Sequence, residues 1–139
     1  MNMMRSAAAY GRGAKAYAKV GVESGVLSAS PHQLIVLLFD GLQAAIRAGR
    51  LHMENGNVAE KGKSISKALD ILNQGLLAAL DREKGGEVAD NLAALYEYCG
   101  GLLLQANLRN DAAPLDEAER LLGDIATAWR EIGQTGRGE

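Results

Sequence analysis

Four stretches of apolar residues at helical spacing, separated by short runs of Gly, Asn and Asp, constrain this chain more than any other feature. The first opens at Ser30-Pro31-His32-Gln33. Ser30 suits an N-cap, Pro31 suits the first helical position, and Gln33 completes a capping box. Its pattern runs to about Met53 and stops at Asn55-Gly56-Asn57, residues that tolerate the left-handed conformation ending many helices. The second runs over about 58–80 and ends in a polar turn closed by Gly85-Gly86. The third runs from Glu87, an acid well placed for a helix N-terminus, to about Leu108, where Asn110-Asp111 closes it. The fourth runs over about 114–132, with Asp116, Glu117 and Glu119 in its first turns. Four helices with short connections predict an all-α fold, an antiparallel up-down four-helix bundle. The bundle takes about 30–132 of a single domain. Residues 1–13 read as a flexible arm, 14–24 as a mobile N-terminal segment or short extra helix around Tyr17 and Val20, and 133–139 as a Gly-rich flexible tail.

Projection at ~100° per residue separates core from surplus. In the fourth helix Leu115, Ala118, Leu121, Leu122, Ile125, Ala126, Trp129 and Ile132 form one stripe opposite Glu117, Arg120, Asp124 and Glu131, an ordinary amphipathic surface helix. In the third, Val88, Leu92, Leu95, Cys99, Leu102, Leu103 and Ala106 form the stripe, and Leu104 and Leu108 point away from it. In the second, Ile65, Leu69, Leu72, Leu76 and Ala79 suffice, leaving Ile71 and Leu77 on either flank. In the first, Leu34, Leu37, Leu38, Leu42 and Ala45 suffice, leaving Ile35, Val36, Phe39 and Ile46 as extra. Two readings of this surplus stand: it packs under the N-terminal segment or in a homodimer, or it forms grooves for amphipathic partner helices.

Composition narrows the class. Apolar residues are 47% of the chain, so a core is affordable, while aromatics are 4%, so Leu and Ala do most of the packing. One cysteine cannot form an internal disulfide and fits a reducing compartment. No signal peptide is visible, and the longest apolar run, Leu34 to Phe39, is far short of the ~20 residues that span a bilayer. The expectation is a cytoplasmic chain without membrane insertion. Net charge is −2, without the basic footprint of nucleic-acid binding. Residues 1–20 nevertheless carry four basic and no acidic side chains, against 11 basic and 17 acidic in the rest. That arm is either simply solvated or touches an acidic surface.

The chain shows no constellation for catalysis. His32 and His52 fall in different turns of one helix, Cys99 has no nearby second cysteine, and no Glu-x-x-His or phosphate loop occurs. Neither histidine fits the exposed mid-helix position that a phosphorelay bundle needs. No enzyme activity, metal or cofactor is expected. Cys99 reads as a buried thiol, Asp40 as solvated, and Gly100-Gly101 as a site of close helix packing, with the approach of a partner backbone as the alternative.

An ordered set of segments then resembles one family. Lys15-Ala16-Tyr17, Val20-Gly21-Val22-Glu23-Ser24 and the string SASPHQLIVLLFDG at 28–41 are similar to the flagellin export chaperones, the FliS family. Lys67-Ala68, Ile71-Leu72, Gly75-Leu76, the string GGEVADNLAALYEY at 85–98, Gln105-Ala106-Asn107, Asn110-Asp111, Leu121-Leu122 and Ala128-Trp129 continue the resemblance over about 14–132. It implies a four-helix bundle that binds the disordered C-terminal segment of flagellin, blocks premature polymerisation and presents the client to the flagellar export gate. On that footing the candidate partner-binding residues are Tyr17, Val20, Ile35, Val36, Phe39, Ile46, Ile71, Leu77, Leu104 and Leu108. Tyr17 and Val20 would cover part of the surface when no client is bound. The competing expectation is a structural or regulatory bundle that self-associates.

Overall fold

The computed structural model describes residues 29–137. Its elements are α1 (Pro31–Glu54), α2 (Val58–Asp70), a π-helix (Ile71–Leu77), α3 (Arg82–Arg109) and α4 (Ala112–Arg137). Among the described residues there is no strand. In the all-α bundle α1 packs on α2 and α4, and α3 on α4 and α2. The arm at 1–13 and the segment at 14–24 lie outside the described residues.

The expected boundaries follow from local chemistry. Ser30 Oγ accepts from the Gln33 amide at 3.1 Å, and Gln33 Oε1 accepts from the Ser30 amide at 2.9 Å, a reciprocal capping box. Gly56 takes φ +73° in the turn after α1. Asn110 closes α3 in the left-handed conformation, φ 52° and ψ 49°. The Asp111 carboxylate then accepts from the Ala113 amide at 3.1 Å, satisfying a free donor at the start of α4. Lys61, only 4% exposed, donates from Nζ to the Asn107 carbonyl and to Asn110 Oδ1, each at 3.0 Å. A cation is favourable there because the last carbonyls of a helix are unpaired and partly negative. Across the outside of the bundle, Arg50 pairs with Asp116 and Glu119, and Arg130 with Asp40, so Asp40 is a partner of α4 rather than merely solvated.

Three boundaries differ from expectation. The uninterrupted helix predicted over 58–80 contains the π-helix, in which the Ala78 amide reaches back five residues to the Asn73 carbonyl at 3.2 Å. α3 begins earlier than Glu87, with a turn capped by Asp81, whose carboxylate accepts from the Lys84 amide at 3.0 Å. Gly86 then kinks the chain at φ 53° and ψ −128°. α4 continues past Gly133 to Arg137, so residues 133–137 of the tail predicted over 133–139 are helical. One glycine costs a helix only ~1 kcal/mol, which does not end it. The missing Cβ also makes room: one built at Gly133 would collide with the His32 ring.

The core corrects the projection at three residues. Phe39, Ile46 and Ile71 are 0% exposed and belong to the core cluster, not to the surplus outside it. The reason is width. A helix flanked by two neighbours buries an arc on the order of 140°, wider than the narrow stripe of a two-helix seam. Phe39 and Ile46 fall on the edge of that arc beside Leu38 and Leu42. Phe39 meets Tyr96 of α3 edge to face, with ring centroids 6.4 Å apart. Conversely Val88 and Ile132, assigned to core stripes, are 68% and 60% exposed.

Gly100 and Gly101 do not serve close packing among the described residues. A Cβ at Gly100 would find Leu72 Cδ2 no nearer than 3.7 Å, and one at Gly101 would meet nothing within 4 Å. Gly101→Ala is therefore expected to raise stability by about 0.5–1 kcal/mol, since it relieves helix-propensity cost without a clash. Urea unfolding measures this as a higher midpoint at unchanged slope.

Candidate functional site

Among the described residues, two features that present apolar surface stand out. The first is a pocket of about 380 Å³ at the end where α1 begins. Pro31, His32, Leu34 and Ile35 of α1 form one wall. Leu76, Ala79 and Leu80 form a second, and Val88, Ala89, Leu92 and Tyr96 of α3 a third, with Trp129 of α4 closing it. The space exists because small residues, Ala79 and Ala89, face it where the middle of the bundle has Leu and Ile. The His32 Nε2–H donates to the Trp129 carbonyl, and the two rings lie 5.4 Å apart, which ties the start of α1 to α4. Burial holds the Tyr96 phenol well above its ordinary pKa, so this wall stays uncharged.

The second feature is the outer face of α3. Leu104 is 49% exposed and Leu108 78%. Gly101, one turn earlier, lies on the same face and is open to solvent. Leu51 and Val58, at the end of the bundle that also carries Leu108, are 55% and 63% exposed.

The predicted partner residues are thus dispersed. Leu104 and Leu108 are exposed as expected. Ile35 is half-buried in the pocket wall, and Val36 beside it is half-buried. Leu77, predicted on a flank, is partly buried against the core because the π-helix turns it inward. Phe39, Ile46 and Ile71 are core, and Tyr17 and Val20 lie outside the described residues. The pocket was not foreseen from the sequence. Leu92 and Trp129 were visible as stripe residues, but nothing in a stripe shows where neighbouring stripes fail to fill the space between them.

No group of three or more His, Cys, Asp or Glu among the described residues is placed to hold a metal, and no described helix is long and apolar enough to cross a membrane. Cys99 is fully buried, and burial pushes its thiol from 9.0 up to about 11, with the Glu117 carboxylate adding to the shift. Its thiolate is scarce at pH 8. A disulfide reagent is expected to leave it unmodified in the native protein and to react promptly in urea. A raised folded-state value means the burial contributes full stability below about pH 9, and that contribution is lost as pH rises through about 11.

Comparison with known proteins gives one consistent match. The family described as "Flagellar protein FliS" matches residues 13–136. The chain is 58% identical over 120 residues to the flagellar secretion chaperone FliS of Salmonella typhimurium strain LT2, covering 86% of this chain and 89% of the relative. Against the protein of the same name in Escherichia coli K12 the identity is 48% over 120 residues, covering 86% and 88%. Against that of Bacillus subtilis 168 it is 31% over 115 residues, covering 83% and 84%.

Proposed function

The chain belongs to the FliS family of flagellar secretion chaperones, and from that premise we propose that it binds the disordered C-terminal segment of flagellin in the cytoplasm. It would thereby prevent premature polymerisation and keep the client competent for delivery to a component of the flagellar export gate. The observation that carries the reading is the solvent-facing apolar strip on α3, Leu104 and Leu108 beside an open Gly101, in a chain with this kinship. A disordered segment gains by laying an amphipathic helix on such a strip, since burial of its apolar face offsets the entropy of ordering it. Gly101 offers the client backbone a point of close approach at the N-terminal end of the strip.

Calorimetry with a peptide from the C-terminus of the same organism's flagellin tests this directly. Binding at micromolar concentration, with a negative heat-capacity change and induced helicity, is the expected result. No heat and no induced helix would refute it. Deleting residues 1–20 asks whether Tyr17 and Val20 cover the surface: binding that stays equal or tightens supports a cover, and binding that is lost makes the segment part of the site. Self-association through the same strip is the second reading. Light scattering that shows a stable dimer indifferent to the peptide would favour it.

A further inference from the structure

The pocket wall that follows α2 lies between two special pieces of backbone. Upstream is the π-helix Ile71–Leu77. Downstream is Gly86, whose φ of 53° and ψ of −128° are open to glycine but not to residues with a Cβ. The intervening residues, 78–85, contribute Ala79, Leu80, Asp81 and Gly85 to the pocket. We propose that residues 78–85 form a lid over the pocket, hinged at Gly86 and moved by conversion of the π-helix to an α-helix.

The argument rests on register. A π-turn holds about one residue more than an α-turn, so everything after it is turned back by roughly 100°. Projected as an unbroken α-helix from α2, Leu80 and Leu77 would point about 90° and 150° away from the Ile65–Ala68–Leu72 stripe. With the π-helix included, the same two residues lie within about 10° and 50° of it. The structure has both packed against the core. Conversion to α spacing would swing them outward and carry the pocket wall with them. The closed register has an opposing cost, because Gln74, in the middle of the π-helix, keeps a buried Oε1 that no donor among the described residues reaches. The rotation that exposes Leu77 and Leu80 also frees Gln74 from its present surroundings. One register thus gains apolar burial and the other gains polar solvation, the balance of opposed terms that a two-state element requires. Gly75 supports the closed form, since a Cβ there would come within 2.8 Å of Leu38 Cδ2.

Methyl relaxation dispersion on the free protein tests the lid, independently of what the chaperone carries. Helix register shifts occur in microseconds to milliseconds, so the Leu77 and Leu80 methyls should show exchange while Leu102 and Leu103 do not. Deleting Gln74 removes the extra residue and leaves an α-helix with Leu77 and Leu80 still inward. That variant should lose the dispersion and keep the emission wavelength of Trp129, the chain's single tryptophan. A Cβ added by Gly86→Ala meets no atom of the described residues within 4 Å, so the substitution acts on the hinge backbone. It should enlarge the dispersion by raising the open population. Flat profiles at Leu77 and Leu80 in the unmodified protein, which need no variant to fold, would overturn the proposal. So would dispersion that survives the deletion of Gln74 or is unaltered by Gly86→Ala.

Discussion

Phe39→Ala is expected to lower the unfolding free energy by about 3–5 kcal/mol, the range for deleting a fully buried aromatic side chain. Phe39 is 0% exposed and sits edge to face with Tyr96, so truncation opens a cavity between α1 and α3 and removes a directional ring contact. A domain of this size has about 5–15 kcal/mol in total, so the variant loses a large share of its stability. Urea unfolding should show a lower midpoint with the slope retained. The molecules still folded should bind flagellin peptide as the parent does, because the side chain never reaches solvent. A loss below about 1 kcal/mol would instead place Phe39 on the outside, as the sequence pattern had suggested.

That contrast shows how much of the molecule could be read beforehand. The starts and stops of α1 and the end of α3 were legible because they rest on local chemistry. Ser30, Gln33, Gly56 and Asn110 act on their own backbone within a few residues. Burial was less legible, because it depends on how many neighbours a helix has. A narrow stripe made Phe39 and Ile46 surplus, whereas α1 has α2 on one side and α4 on the other. The π-helix was invisible for a related reason. Ile71–Leu77 reads as good α-helix, and only packing against α1 and α3 decides that Leu77 turns in. Leu104 and Leu108 were legible because they point straight away from the core, where the width of the buried arc makes no difference.

Those two leucines carry the other large expected effect. The double variant Leu104→Gln, Leu108→Gln should leave stability within about 0.5 kcal/mol per site, since surface substitutions rarely do more and Gln is a good helix former. Glutamine is preferred to glutamate because Leu108 is two residues before the C-cap Asn110, where a negative charge opposes the helix dipole. If a client helix covers this strip, burying the two leucines contributes about 1.5–3 kcal/mol each. Their joint loss then weakens peptide binding by about 100-fold or more. Full-strength binding by the double variant would move the site off α3. The same variant separates the two readings of the strip. In a client site, peptide affinity falls and the oligomeric state is unchanged. In a self-association face, light scattering shows a dimer dissociating while the peptide remains without effect. Because the substitution leaves the core untouched, a binding loss with native unfolding behaviour cannot be attributed to misfolding, which distinguishes it from the consequence of Phe39→Ala.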